Sequence, residues 1–328
     1  MSKTTKKVLA KIRAATMYFV LVIIVAASLS LAWLRWDANQ SRDEWFGERQ
    51  GKITGVDADK STTVDGGIEE SVQLISDSGL EVSFRIMRSA ETDTPLPILM
   101  ILGGHRTGGD VVDLYNGVSN RAVVGVDYPY DGPDKAKGVI AIARTIPVAR
   151  QAFLDTVPAL SLVLDWLEQQ TWVDKSRIVL VGASLGVPFA AKAAARDNRI
   201  TGLMLVHGAA DNRLWAEVQV ARRVDARFLH YPLSNVLNWL AYGPIFDTRE
   251  NVALFSPRPL LIVGARKDER TPAGQQELLL DAADEPKRLR YTDGQHVQPD
   301  RADIILELQR ISEEEQDFLT QAVTGCCQ

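Results

Sequence analysis

Short runs made up entirely of apolar residues recur from residue 97 onward, separated by longer segments with helical spacing. Strands that are apolar at every position are buried on both faces, which is typical of a parallel sheet with helices packed on either side. The pattern therefore predicts an α/β domain with a mostly parallel central sheet. The predicted strands are 98–102, 122–126, 178–181, 202–206, 260–263 and 287–292.

A strictly alternating pattern precedes these runs. Apolar residues occupy every second position from Leu80 to Ile86, and an Asp-Ser-Gly turn at 77–79 comes before them. This combination predicts a β-hairpin with one buried face. Residues 36–70 are polar and weakly patterned, and we predict a linker there. The globular domain is then expected to span 71–325.

An uncharged apolar segment lies near the N-terminus, from Ala14 to Leu34. As a helix at ~1.5 Å per residue it spans about 30 Å, the thickness of the hydrocarbon core of a bilayer. We predict a transmembrane helix at 14–35 after a basic cytoplasmic segment at 1–13, with the domain outside the cytoplasm (the periplasm in a bacterium). The alternative is a cleaved signal peptide, with small residues of a cleavage site at 30–32; the length of the apolar run favours an uncleaved anchor.

Composition and charge limit the classes of partner and cofactor that we expect. The net charge is −5, the isoelectric point is near 5.5 and no long block of one charge occurs, so nucleic acid is not an expected partner. The only cysteines are Cys326 and Cys327, which excludes a disulfide framework. No Cys/His cluster offers a metal site, and we expect no metal or organic cofactor.

One interval between predicted strands is unusually long. Residues 211–256 are rich in aromatic side chains. They could form an extra helical layer or a lid over a pocket, since insertions in such folds lie on the functional side of the sheet. The two interpretations are compatible, and both are kept.

The most informative motif is Gly182-Ala183-Ser184-Leu185-Gly186, which has the form G-x-S-x-G. It follows an apolar strand and precedes a helical segment, which is the context of a nucleophile elbow. Small flanking residues permit the sharp turn that lifts the serine hydroxyl clear of the sheet. We therefore predict Ser184 as a nucleophile near a helix N-terminus, where developing negative charge is stabilised.

A serine nucleophile needs a histidine base and an acid that orients the base. His296 lies in a glycine-containing loop after the last predicted strand, and Asp268 follows another strand end. Because parallel strands end at one edge of the sheet, we predict that these residues meet Ser184 there. Two rivals remain: Asp211 as the acid, and His207, at a strand edge, as the base.

These motifs together resemble the α/β-hydrolase family. The resemblance covers about 72–322 and rests on the leading hairpin, the elbow "GASLG", the acid loop "GARKDERTP" and the histidine loop "DGQHV". The segment "WVDKSRIVLVGASLG" is especially similar to dienelactone-hydrolase-like and prolyl-oligopeptidase-like members. The resemblance implies Ser184 as nucleophile, His296 as general base and acid, and Asp268 as its orienter. Dienelactone hydrolases proper have cysteine at the elbow, and serine here favours esterase chemistry.

An oxyanion hole requires two backbone N–H donors. The residue after the nucleophile, Leu185, is expected to supply one. The resemblance places the second in the loop "LGGHRTGG" at 102–109, where His105 is the first choice and Gly104 the second.

We therefore expect a membrane-anchored serine hydrolase that cleaves a small-molecule ester. A peptidase acting on short peptides is the alternative within the same fold, and a non-catalytic binding protein is the alternative outside enzymology. The presence of all three candidate catalytic residues favours an enzyme.

Overall fold

The protein is described by a computed structural model that covers residues 3–63, 66–90, 92–104, 107–115, 120–133, 135 and 137–321. Its centre is a nine-stranded sheet. The strands are β1 Ile53–Thr62, β2 Gly67–Ser76, β3 Glu81–Ser89, β4 Leu96–Leu102, β5 Ala122–Val126, β6 Val173–Ala183, β7 Gly202–Val206, β8 Leu260–Ala265 and β9 Lys287–Thr292.

The strand order across the sheet is β1-β2-β3-β5-β4-β6-β7-β8-β9. The first three strands pair antiparallel, and β3 also pairs antiparallel with β5. From β5 to β9 every neighbouring pair is parallel. The mostly parallel sheet and the hairpin of β2 and β3 were both predicted from the pattern of apolar residues.

Helices cover both faces of the sheet. They are α1 Lys3–Ala38, α2 Asp43–Gln50, α3 Val139–Leu167, α4 Gly186–Arg196, α5 Asn212–Ala221, α6 His230–Leu240, α7 Thr248–Phe255, α8 Gln275–Ala282, α9 Ala302–Glu314 and α10 Gln316–Leu319. Alternate residues of β4 explain the two layers: Met100 packs with the core that includes α3, α4 and α7, whereas Ile101 packs with the core that includes α9 and α10. A strand buried on both faces must be apolar throughout.

The segment predicted as a linker is largely folded. Within 36–70 the structure contains α2 and β1. The side chain of Phe46 in α2 is 1% exposed and packs against the ring of Phe246, and Arg49 forms a bidentate ion pair with Asp155 at 2.7 and 2.9 Å. The predicted linker is therefore an integral part of the domain.

The N-terminal helix α1 is long and apolar enough to cross a membrane over Lys11–Ala38, and only 6% of its most apolar window is buried. It contacts the domain at its C-terminal end, where Leu34 and Asp37 are half-buried and Ala38 is fully buried. The Asp37 carboxylate accepts a hydrogen bond from Arg150 of α3 at 2.6 Å. The helix continues without a break into this contact.

Candidate active site

Ser184 lies at the tip of the turn from β6 into α4. Its φ is +53°, in the left-handed region that non-glycine residues rarely occupy. A hydrogen bond stabilises this strained backbone conformation: the Ser184 N–H donates to the carbonyl of Val206 on the neighbouring strand at 2.9 Å. The side chain is half-buried. This geometry is that of a nucleophile elbow.

Gly186 explains why the turn requires a residue without a side chain. A Cβ atom added there would lie 2.3 Å from the carbonyl oxygen of Leu102 and 2.8 Å from that of Gly103. Both contacts are with backbone, which cannot rotate away. The elbow is therefore packed directly against the end of β4.

Gly186→Ala is expected to destabilise the fold by ~2 kcal/mol or more, because overpacking against backbone forces main-chain shifts. Activity should fall as well, since the displaced β4 end leads into the loop beside Ser184. Urea unfolding would measure the first effect. Gly47→Ala in α2 is the matched control: nothing lies within 4 Å of the added atom, and alanine is expected to be neutral or to stabilise the helix by up to ~1 kcal/mol. An equally stable, fully active Gly186→Ala enzyme would contradict this packing.

The other two predicted residues meet Ser184 at the same edge of the sheet. The Ser184 Oγ lies 2.7 Å from Nε2 of His296. Nδ1 of the same ring lies 3.0 and 3.1 Å from the two carboxylate oxygens of Asp268. The side chains of His296 and Asp268 are 1% and 6% exposed. The structure thus joins all three side chains in one chain of hydrogen bonds, although Ser184 and His296 are 112 positions apart in the sequence.

The Asp268 carboxylate is held as an anion. Burial opposes its ionisation, but hydrogen bonding to His296 and the N–H groups of Thr271 and Arg270 outweighs burial and lowers its pKa. Both N–H groups donate to the same Oδ1 at 2.8 Å. A fixed anion at Nδ1 keeps the proton on that nitrogen and leaves Nε2 free to accept a proton from the serine.

Two of the predicted oxyanion donors, Leu185 and Gly104, lie next to Ser184 in the described part of the chain. Leu185 is the residue preceding the first turn of α4, where N–H groups have no partner within the helix. A Cβ added to Gly104 would lie 3.2 Å from Cβ of Ser184, so this glycine borders the hydroxyl directly. His105, the first choice for the second donor, lies outside the described residues. The identity of the second donor stays a prediction.

The two rival residues have other roles. Asp211 is the N-cap of α5 and accepts the N–H of Leu214 at 2.9 Å. His207 is fully buried, and its Nδ1 accepts the N–H of Val297 at 2.8 Å. Neither occupies the position of the acid or the base beside Ser184. His230 in α6 bonds to the carbonyl of Val224.

Sequence reasoning missed the groups that hold the histidine loop. The N–H of His296 donates to the Glu269 carboxylate at 3.0 Å, and the carbonyl of His296 accepts from Arg301 at 2.6 Å. Arg301 also pairs with Glu269 at 3.0 Å. The only available signal was the Glu269 carboxylate next to Asp268 in an acidic-basic run, which is the ordinary pattern of a solvated loop.

Three side chains of the site carry atoms that can bind a metal ion and lie close together. The ligand atoms of His207, Asp268 and His296 lie within 4.8 Å of one another, a spacing that could accommodate an ion. However, both nitrogens of His296, both oxygens of Asp268 and Nδ1 of His207 already take part in the hydrogen bonds given above. Those bonds account for the cluster, and we assign no metal to it.

The interval 211–256 contains α5, α6 and α7. Part of it is structural: Phe246 and Phe255 are buried in the core, and the ring of Phe246 packs edge-to-face against that of Phe189 of α4, with 4.7 Å between the ring centroids. Part of it is exposed, since Phe228 and Tyr231 are 80% and 64% accessible. A helical layer accounts for the buried aromatic residues, and the lid stays a prediction.

Comparisons with known proteins agree with this architecture. The sequence profile of the prolyl oligopeptidase family matches residues 153–320, just over half of the chain. A search of curated proteins gives no match. Among solved structures, an acetyl xylan esterase from Paenibacillus sp. R4 superposes with a TM-score of 0.59 at 17% identity, covering 84% of this chain and 95% of that one.

Two further structures are similar. An acetyl xylan esterase from a Thermoanaerobacterium species has a TM-score of 0.55 at 17% identity and covers 83% of this chain and 92% of its own. A glucuronoyl esterase from Solibacter usitatus has a TM-score of 0.50 at 17% identity and covers 84% and 91%. At such identities the similarity establishes the fold alone. The predicted α/β-hydrolase fold is confirmed.

Proposed function

This chain belongs to the prolyl oligopeptidase family of serine hydrolases, and we propose that it is a membrane-anchored esterase with Ser184, His296 and Asp268 as its catalytic triad. The proposal rests chiefly on one observation. A serine with φ +53° lies 2.7 Å from a buried imidazole, which in turn bonds to a buried carboxylate. A nucleophile, a base and an orienting acid in that order are what acyl transfer requires.

In the proposed reaction, Oγ of Ser184 attacks the ester carbonyl while Nε2 of His296 takes the hydroxyl proton. The tetrahedral oxyanion is stabilised by the N–H of Leu185 and by a second N–H from the loop at Gly104. His296 then donates its proton to the departing alcohol, and an acyl-enzyme remains. Water, deprotonated by the same nitrogen, attacks the acyl group. His296 returns that proton to Oγ of Ser184 as the bond between Oγ and the acyl carbon breaks, and the carboxylic acid product leaves.

An ester substrate is favoured by the solved structures that share the fold, whose names describe acetyl xylan and glucuronoyl esterases. A peptide substrate is the second candidate, because the matching family is named for oligopeptidases. Parallel assays with p-nitrophenyl acyl esters and peptide p-nitroanilides separate the two. We expect the ester assay to give the larger kcat/KM.

Labelling with a fluorophosphonate probe tests the proposed nucleophile directly. The probe phosphonylates activated serine hydroxyl groups, and digestion with mass spectrometry identifies the modified residue. We expect one adduct, on Ser184, formed at a rate that falls when p-nitrophenyl acetate competes. An active preparation that takes up no probe, or takes it up at another serine, would refute the assignment.

The membrane anchor is proposed from α1. The span is 28 residues long, its most apolar 18-residue window has a mean hydropathy of 2.4, and 6% of that window is buried, which is far too little for a core helix. The basic residues before the span favour a cytoplasmic N-terminus. An uncleaved anchor requires that the full-length chain stay in the membrane fraction after extraction with alkaline carbonate. Release of a shortened chain would indicate a signal peptide instead.

The orientation is tested with single cysteines after both natural cysteines have been replaced by serine. Leu306→Cys places a thiol at a position that is 53% exposed on α9, and Lys7→Cys places one before the apolar span. In intact spheroplasts a membrane-impermeant maleimide should label the first and spare the second. Labelling with the opposite preference would reverse the proposed topology.

A further inference from the structure

His207 is a buried histidine behind the proposed triad that takes no part in the reaction as written. Its side chain is fully buried, and its ring centroid lies 5.7 Å from that of His296. It also has φ +53°, a conformation that costs free energy for a residue with a Cβ. A buried imidazole in a strained backbone position requires a compensating interaction.

The hydrogen bonds of the ring fix its tautomer. Nδ1 accepts the N–H of Val297 at 2.8 Å, so this nitrogen carries the lone pair and the proton is on Nε2. Nε2 in turn lies 3.1 Å from Oγ1 of Thr292, at the end of β9. Burial, and then the neighbouring ring of His296, lower the pKa of His207 to about 4. The ring is therefore neutral, and Nδ1 is an acceptor, at the pH values where esterases are assayed.

His207 is bonded to every loop that forms the proposed base and acid. Its N–H donates to the carbonyl of Val263 in β8 at 2.8 Å. Its carbonyl accepts from Oγ1 of Thr271, in the acid loop, at 3.0 Å. Its ring bonds to Val297, the residue that directly follows His296. One residue thus connects the ends of β7 and β8 with both loops.

We propose that His207 is a positioning residue whose Nδ1 holds the amide of Val297 and thereby keeps the ring of His296 aligned between Ser184 and Asp268. The proposal rests on the proposed function, since it concerns the geometry of that triad. Glu269 and Arg301 hold the N–H and the carbonyl of His296 itself. The N–H of Val297 belongs to the same peptide group as the His296 carbonyl, so His207 and Arg301 hold that group from both ends while Glu269 holds the preceding one. The loop therefore cannot rotate about the histidine. A displacement of about 1 Å in such a group lowers a rate by ~100-fold.

Two substitutions at this position separate the acceptor from the bulk of the ring. His207→Asn puts a carbonyl oxygen near the position of Nδ1, and asparagine tolerates a positive φ better than most residues. His207→Leu has a similar volume and no acceptor. If the leucine variant fails to fold, His207→Gln replaces it, because its amide reaches the Nε2 position and leaves the δ position without an acceptor.

We expect the leucine or glutamine variant to lose 10- to 100-fold in kcat for p-nitrophenyl acetate, with KM within about threefold of the wild type. The asparagine variant should recover most of that loss. A residue that only fills space would show the opposite ranking, with activity following volume and Tm. The proposal is overturned if a folded leucine or glutamine variant keeps kcat within twofold of the wild type, or if asparagine loses as much as they do.

Amide hydrogen exchange tests the same contact without any turnover. The peptide that contains Val297 should exchange faster in the leucine or glutamine variant than in the wild type, and the asparagine variant should restore its protection. Equal protection in all variants would overturn the proposal. Failure of the proposed function has a separate signature: the wild type would then hydrolyse no ester and take up no fluorophosphonate, whatever the exchange of Val297.

Discussion

Replacing Ser184 with alanine is expected to lower kcat for p-nitrophenyl acyl esters by about 10⁴-fold or more, and to abolish labelling by fluorophosphonate. The reason is that no other hydroxyl lies within bonding distance of Nε2 of His296 among the described residues, so no acyl-enzyme can form. The loss should appear in kcat/KM to the same degree. Steady-state kinetics would measure the loss, and thermal unfolding would show that the variant is folded.

The matched control is Ser176→Ala. Ser176 is exposed on the same strand, β6, and its hydroxyl bonds to Asp174. We expect it to leave kcat and KM within about twofold of the wild type. The Ser184→Ala protein should unfold at nearly the wild-type Tm, because the substitution removes one half-buried oxygen and keeps the backbone. More than about 1% of wild-type activity in the pure variant would contradict the assignment of the nucleophile.

Replacing Asp268 with asparagine is expected to lower kcat by ~10³- to 10⁴-fold. The amide group is close in size to the carboxylate, but it carries no charge and can donate to Nδ1 of His296, which moves the histidine proton to the wrong nitrogen. Nε2 then faces Ser184 as a donor and cannot accept its proton. The geometry of the site should survive, so KM should change far less than kcat.

Two controls make this experiment specific. Glu269→Gln removes the adjacent charge, but Glu269 bonds to the N–H of His296 and to Arg301 rather than to the imidazole, and less than a tenfold loss is expected. Asp211→Asn tests the rival acid and should retain activity, because Asp211 caps α5 and asparagine is an equally good N-cap. If Asp211→Asn lost activity while Asp268→Asn kept it, the acid would have to be reassigned.

The sheet was the part of the fold most accessible from the sequence. Strands β5 and β7 begin and end where their residue patterns predict, because a strand buried on both faces is apolar at each position and a helix or turn must follow it. The three candidate catalytic residues also meet as expected. Each follows a strand, and parallel strands place their C-terminal ends at one edge.

Strand β1 could not be predicted in the same way. Its sequence, "ITGVDADKST", is mostly exposed, and it lies at the edge of the sheet, where it pairs only with β2. Such a strand forms because β2 offers free hydrogen-bonding groups, not because its own residues repeat with a period of two. Helix α2 is similar, since Phe46 becomes informative only when Phe246, 200 residues later, is placed beside it.

The bond between His207 and Val297 belongs to the same class. The two residues are 90 positions apart, and their contact depends on how the loops after β7 and β9 are positioned relative to each other. In the sequence, His207 is a polar residue at the end of an apolar run, which is compatible with many roles. The position of its Nδ1 follows only from the folded backbone and its φ of +53°.

If α1 spans a bilayer as proposed, its unbroken passage into the domain limits where the enzyme can work. A flexible tether in place of residues 36–70 would give the catalytic domain a reach of about 30 Å. Here the helix runs without a break to Ala38, and Asp37 in its last turn is bonded to Arg150 of the domain. In that arrangement no flexible tether separates the bilayer from the catalytic domain. Turnover would then be confined to a thin layer along the lipid surface, and its rate would depend on how many substrate molecules each unit of that area presents.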